Sequence, residues 1–561
     1  MNKNTLIAFL LIAIVLIATP YYLELVSPPP PPQIDDTAER TTPAEPPPQQ
    51  QTAETAETYR RTELNESQLS DYEIPFAENR IIQIENDLFT ASLSTQNGGS
   101  FYDYTLKHYY TNDSTNVRLI DKLNKNNLLI EFISLSGDFI VLDNDWHYDG
   151  ATDVLNATHE SKTLRFSTTI LGETITKTFI FNPGTYQIEV SLDLSGLEDA
   201  LSQGLFTLSW LGGLPTTEVN KKDDLFYFRG YAYQGGELHD PKIKRNSGSN
   251  SQKIIGNTDW IATRSKYFIS AIIPTIPAVG AEIGGLTVND VPRYDLALQN
   301  DVRSSKSFKL YLGPLEYNRI KALNINLDRS MNLGWKPIRP ISLGVLALLK
   351  AMYKYIPNYG VVLIIFSILI KILVYPLTKK SHTSTAKMQQ VQPQLAALKE
   401  KHKNNPQKLN KATMAFYKEQ GVNPMGGCLP LLIQMPLLIA LFTVFRTTIE
   451  LRGAPFFLWI KDLSAPDTLF TIGEFPINIL PLLMAATMLL QQKMTPSPAM
   501  GQQKAMPYIM NIMFLFIFYR FPSGLNLYYT LFNLLTVIQQ KYLTPAPVSA
   551  TAPSGKPDKN K

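Results

Sequence analysis

The stretch that most constrains this chain is VVLIIFSILIKILVYPL at 361–377. It is apolar and long enough to enter a bilayer, yet it carries one full charge, Lys371, well inside. A lysine near the middle of a membrane helix costs roughly 2.5–3.5 kcal/mol on insertion scales. Such a residue persists only if it snorkels to an interface, finds a partner, or faces water. Lys371 precedes Thr378 by seven residues, about 10 Å at ~1.5 Å per residue. Its own side chain covers much of that distance, so snorkelling stays open beside a hydrated groove.

Global averages conceal this feature. The mean hydropathy of −0.07 resembles that of a soluble protein, but the apolar residues gather at the start and after about residue 340. A net charge of +4 over 561 residues gives no pointer to nucleic acid. The single cysteine, Cys428, rules out an internal disulfide. At the N-terminus, Lys3 is followed by an uncharged apolar run over 6–18. A poor small-x-small pattern around Ala18 and the continuation through Tyr21 and Tyr22 favour an anchor at 1–26 over a cleaved signal peptide. Lys3 directs the leading end to the cytoplasm.

A Pro-rich linker at 27–71 cannot bury a core and separates the anchor from the next domain. From 72 to 330 the pattern is that of strands. TITKTFIF at 174–181, Asn182-Pro183-Gly184, and YQIEVSLDL at 186–194 make a strong hairpin signal, and the second arm alternates strictly. Further strands are expected at 81–85, 89–94, 164–170, 225–229, 267–273 and 308–312. Many short strands without long helices argue a large antiparallel sandwich. His108, His147, His159 and His239 are scattered, with no metal-ligand spacing and no triad.

An amphipathic segment at 338–357 presents Ile341, Val345, Leu348, Leu349, Met352 and Ile356 on one helical face. Flanked by Trp335, Tyr353 and Tyr355, it reads as a helix in the membrane interface, or else a short helix packed on the sandwich. Five transmembrane segments come next, at 358–378, 428–446, 475–491, 506–521 and 524–541, making six with the anchor. Nine lysines against two acids between 379 and 427, and Lys493 and Lys504 with no acid at 491–505, assign those loops to the cytoplasm. The basic tail at 542–561 joins them there. The mixed-charge 446–474 loop and the β domain then lie outside. The fold expected is therefore a multidomain membrane protein: an α-helical six-span transmembrane bundle plus an all-β periplasmic supersandwich.

The basic loop is itself patterned. Met388, Val391, Leu395 and Leu398 mark one helical stripe, Asn404-Asn405-Pro406 breaks it, and Leu409, Thr413, Phe416 and Tyr417 mark another. A helical hairpin ending near Gly421 is expected, with Lys387, Lys399, Lys401, Lys408 and Lys411 exposed to lipid headgroups, to ribosomal RNA, or merely to water. Within the spans, Asn526, Tyr529, Thr530, Asn533, Thr536 and Gln540 recur at helical spacing along the last segment. Gln434 and Thr443 lie in the third, and Ser367 sits one turn before Lys371. Singly these are interhelical glue; together with a charge they outline a hydrated groove.

YPLT at 375–378, NPMGGCLPLLIQMP at 423–436, PFFLWIKDL at 455–463 and FPSGLNLYY at 521–529 closely resemble the YidC-type membrane protein insertases. The resemblance is collinear over about 340–542. The anchor, linker and β domain are similar to the Gram-negative form, whose periplasmic domain is a β-supersandwich. It implies a bacterial inner-membrane, multi-pass insertase and chaperone that uses no nucleotide or cofactor, alone or beside the Sec translocon. Nascent membrane proteins and lipids are its implied partners, with the ribosome approached through the basic tail and hairpin. By motif match, Lys371 takes the position of the groove charge, with Gln434 and Tyr529 lining it. Ser367, Asn526, Thr530 and Asn533 complete the expected groove. The family usually has arginine where this chain has Lys371. Arginine binds carboxylates bidentately; lysine acts as a point charge. A solute channel or transporter, or an anchored carbohydrate-active periplasmic enzyme, is the alternative reading.

Overall fold

Asn220 shows how local chemistry overrides a strand pattern. Its side chain accepts the backbone N–H of Asp223 and caps a short helix, α1 (Lys221–Phe226). Asp223 and Asp224 in the first turn favour the helix further. The strand expected at 225–229 is therefore absent there, and the next strand begins at Arg229. The computed structural model describes residues 80–543 except 122–124, 243–250, 289–290, 304–305, 403–404, 422–428, 474 and 495–505. The expected anchor, the linker and the tail beyond Leu543 lie outside the described residues. One unit comprises 72–498 and 507–561; of the other, 1–71 with 499–506, only Met506 is described.

The β region holds a five-stranded sheet and a fourteen-stranded sheet among the described residues. Both contribute to one apolar core around Phe101, Trp146, Phe166, Phe179, Trp210 and Trp260. The hairpin expected at 174–194 is present as Glu173–Phe181 paired antiparallel with Gln187–Asp193. Ile188, Val190 and Leu192 point inward while Glu189, Ser191 and Asp193 point out. On the first arm the buried face also takes Lys177, which is fully enclosed. Its Nζ donates to the Gly98 carbonyl (2.5 Å) and the Leu128 carbonyl (2.8 Å), and lies 5.0 Å from the Trp146 ring. Burial without a carboxylate pulls its ammonium down to about 7.

Eight longer helices follow: α2 (Arg339–Tyr353), α3 (Tyr359–Gln390), α4 (Gln392–Lys401), α5 (Pro406–Glu419), α6 (Leu429–Thr447), α7 (Ile479–Met494), α8 (Met506–Phe518) and α9 (Ser523–Leu543). Among the described helices, only Tyr359–Pro376 is long and apolar enough to cross a membrane by length and composition; Gln434–Thr447 and Tyr508–Phe518 are shorter apolar helices. α3 does not stop at Thr378. It runs through Pro376 to Gln390, because the change at 378 is from apolar to charged, and lysine is a good helix former. α2 buries Val345, Leu346 and Leu349 against the other helices.

Charged side chains join the β region to the helices. Asp223 on α1 accepts from Lys266 (2.7 Å) and from Arg446 at the end of α6, through Nε at 3.0 Å and also through Nη2. Arg452 donates to Glu218 at 2.8 Å, and Lys350 on α2 to Glu450 at 2.8 Å. Burial alone would raise the Asp223 carboxyl, but the Lys266 and Arg446 cations outweigh it and hold the pKa below the usual value. Asp223→Ala would leave two enclosed cations without their anion, a loss of roughly 2–5 kcal/mol. A lowered melting temperature of the solubilised chain measures it, with partial recovery in the Asp223→Ala/Arg446→Ala double variant. Because the folded pKa is depressed, the contribution is complete above the unfolded value of about 3.9. It is lost as pH falls through the lower, folded value. The gap between the native chain and Asp223→Ala should thus hold steady down to about pH 4 and close below it.

Candidate functional site

Helix α9 packs against α3, α6 and α7, so its successive faces meet different neighbours. Tyr528, Phe532 and Thr536 are four residues apart and share one face. Lys371, half-buried on α3, donates from Nζ to Thr536 Oγ1 at 2.7 Å and lies 4.3 Å from the centre of the Phe532 ring. The Thr536 hydroxyl in turn donates to the Phe532 carbonyl. One turn higher, Gln434 on α6 donates from Nε2 to the Tyr528 hydroxyl at 3.2 Å. Tyr528 is fully buried, with Phe366 of α3 and Phe532 beside it. Three helices are therefore linked by a short polar and aromatic ladder running Gln434, Tyr528, Phe532, Lys371.

An ammonium has three donors, and Thr536 takes one. Among the described residues no carboxylate forms an ion pair with Lys371. The arrangement holds a cation in partial burial with neutral neighbours, which leaves its charge available to an incoming acceptor.

The other expected groove residues make the following contacts. Ser367 is buried and donates to the Leu363 carbonyl within its own helix. Asn526 is buried and donates to the Phe518 and Phe521 carbonyls, satisfying the end of α8. Thr530 returns its hydroxyl to the Asn526 carbonyl. Tyr529 lies edge-on to Phe518, and its buried hydroxyl has no hydrogen-bond partner among the described residues. Asn533 is buried. Tyr528 and Phe532 escaped the sequence argument; their signal was the spacing 528, 532, 536, which an apolar-versus-polar scan does not register for aromatics.

The basic hairpin has its own small core. Val391 and Leu395 are buried, and Phe416 and Tyr417 pack against Val391. Asn405 caps α5 by accepting the Lys408 N–H at 3.0 Å, and Pro406 occupies the first turn. Gly421, just past the end of α5, takes the left-handed φ of +60°. Lys387, Lys401, Lys408 and Lys411 are exposed, and Lys399 lies on α4.

Residues 351–548 match the family profile described as the 60Kd inner membrane protein, and residues 81–339 match the YidC periplasmic domain. A membrane protein insertase YidC of Pelodictyon phaeoclathratiforme is 36% identical over 84% of this chain and 84% of its own. That of Chlorobaculum parvum is 34% identical over 97% of this chain and 94% of its own. A crystal structure of an active YidC insertase with its first transmembrane domain resolved aligns with 18% identity and a TM-score of 0.36, covering 84% of this chain and 94% of that one.

The two adjacent tyrosines of α9 should respond oppositely to loss of the hydroxyl. Tyr528→Phe removes the acceptor of Gln434 and should lower the melting temperature, at a cost of about 0.6–1.7 kcal/mol. Tyr529→Phe removes a buried hydroxyl without a partner and should be neutral or stabilising. Thermal unfolding in detergent compares the pair.

Proposed function

This chain belongs to the YidC family of membrane protein insertases, and we propose that it receives the polar part of a nascent chain on the α3–α6–α9 face, with Lys371 as its electrostatic contact. The family acts in the inner membrane on membrane proteins, and it is a family of insertases rather than of known enzymes. The transporter and carbohydrate-enzyme alternatives give way to that assignment. The observation that carries the proposal is the half-buried Lys371 ammonium, held only by neutral groups among the described residues. A permanently paired cation would have no charge to offer.

The proposed topology has six spans, with both termini and the α4–α5 hairpin in the cytoplasm. Its support is directional. α3 leads from α2, which is bonded to Glu450 near the β region, toward the hairpin. α6 returns from the hairpin and ends on Asp223 of the β region. The β region and the basic hairpin thus occupy opposite ends of these helices, as two sides of a bilayer require. α9 begins against the 462–463 backbone, to which Ser523 and Gly524 donate, and carries Lys541 in its last turn. Lys371 is twelve residues into α3, about 18 Å from its start at ~1.5 Å per residue. That leaves it nearer the cytoplasmic side, where the groove would open. The exposed lysines of the hairpin are suited to anionic lipid headgroups and to ribosomal RNA. Contact with the Sec translocon belongs to the same proposal.

Purified protein in liposomes, challenged with a small phage-coat-like substrate bearing an acidic translocated tail, tests the role of Lys371. Lys371→Arg should insert the substrate much as the native chain does. Lys371→Glu should slow insertion on the order of tenfold, since losing one charge-assisted contact removes roughly 1.5 kcal/mol. Equal insertion by the Lys and Glu forms would refute an electrostatic role.

A further inference from the structure

Between α6 and α7 the chain forms a two-stranded antiparallel ribbon, Thr468–Ile472 against Phe475–Asn478, that joins no other sheet. An isolated hairpin is at best marginally stable in water. A ribbon that has to survive there normally turns a polar face outward. This one does the reverse. Leu469 and Phe470, on opposite faces, are 49% and 51% exposed, and Ile472 and Phe475 are 64% and 58% exposed. Across 468–478 the sequence has one ionisable residue, Glu474.

The ribbon is nevertheless held firmly at its base. Asp467 Oδ2 accepts from the backbone of Ile479 (3.0 Å) and Leu480 (2.7 Å) and from Trp459 Nε1 (3.0 Å). The side chains of Thr468 and Asn478 bond at 2.7 Å, and Asn478 donates to the Tyr519 carbonyl at 2.6 Å. The Tyr519 hydroxyl donates to the Pro476 carbonyl at 2.7 Å, and its ring stacks on Phe475. These contacts fix the ribbon to the start of α7 and the end of α8. The Trp459 bond also ties it to the turn in which Phe457 and Leu458 are exposed. Leu458 is 75% exposed and adopts a left-handed φ of +57°, a conformation that costs a leucine energy.

We propose that this ribbon, with the Phe457–Leu458 turn, lies in the lipid interface of the leaflet on the β-region side and inserts Leu469, Phe470, Ile472 and Phe475 among the acyl chains. Continuity identifies the occupant. The ribbon leads directly into α7, where Leu482 and Leu483 are exposed, and is bonded to Tyr519 just past α8, where Phe516 and Ile517 are exposed. In a membrane protein those helical surfaces face lipid. Arg520, beside Tyr519, and Lys461, two residues past Trp459, are exposed and suit phosphate headgroups. An aqueous ribbon would leave four large apolar side chains about half or more exposed to water; a bilayer interface covers both faces at once. The proposal rests on the six-span reading for the direction in which α7 and α8 cross.

Spin labels on the full chain, carrying Cys428→Ser and one new cysteine, separate the two. Phe470→Cys and Ile472→Cys report on the ribbon, Leu482→Cys on the span, and Ile255→Cys on a fully exposed β position. In nanodiscs of phosphatidylethanolamine and phosphatidylglycerol, labels at 470, 472 and 482 should collide more with oxygen than with a water-soluble nickel chelate, and 255 should show the opposite. If 470 and 472 behave like 255 while 482 remains lipid-like, the ribbon stands in water and the proposal fails while the topology survives. An aqueous reading at 482 overturns both. Shielding of 470 and 472 from both agents in native membrane vesicles would mean that a protein covers the ribbon, and would also overturn the proposal.

Discussion

The interaction on which the architecture depends is the cluster around Asp223. One carboxylate on a six-residue helix is shared between Lys266 of the β region and Arg446 at the end of α6. The ion pair of Arg452 with Glu218 and the contacts of Lys350 with Glu450 and Glu316 reinforce the same joint. Buried ion pairs are poor sources of net stability, since desolvation offsets most of the attraction. Their strength is specificity: an alternative docking of β region on helices would strand several charges at once. The joint also relates the direction of each helix to the β region, and hence to any bilayer the helices cross.

Lys371 and Lys177 present the same physical problem with different outcomes. Both are lysines in apolar surroundings, with no carboxylate paired to them among the described residues. Lys177 is sealed inside the β core, with two backbone carbonyls accepting from it. It serves the packing of that core. Lys371 is only half enclosed, shares one hydroxyl and one ring face, and lies between helices rather than inside a sheet sandwich. Identical residues therefore act as a structural fastener in one place and as a candidate recognition charge in the other. Accessibility makes the difference.

The polar residues of α9 divide in a similar way. Asn526 serves the backbone at the α8 end and Thr530 that of α9 itself, whereas Thr536 and Tyr528 reach α3 and α6. A stripe that looks uniform along one helix is shared among several neighbours, because each face of α9 meets a different one. Packing contacts and the proposed groove are thus adjacent on a single helix, and only the partner distinguishes them.

Local chemistry alone determined a good deal. The 174–194 hairpin follows from alternation and an Asn-Pro-Gly turn, and the α4–α5 hairpin core follows from stripes broken by Asn405-Pro406. The expensive lysine at 371 was visible as well, since a charge in an apolar run needs no partner to be conspicuous. What the tertiary structure decided was every pairing between distant segments. Asp223 of α1 met cations 43 and 223 residues away. Lys371 met Thr536, 165 residues on, and Gln434 met Tyr528, 94 residues on. Periodicity encodes which face of an element is apolar, but not which element will lie against it. That choice arises only when packing, hydrogen bonding and charge are satisfied together across the whole chain.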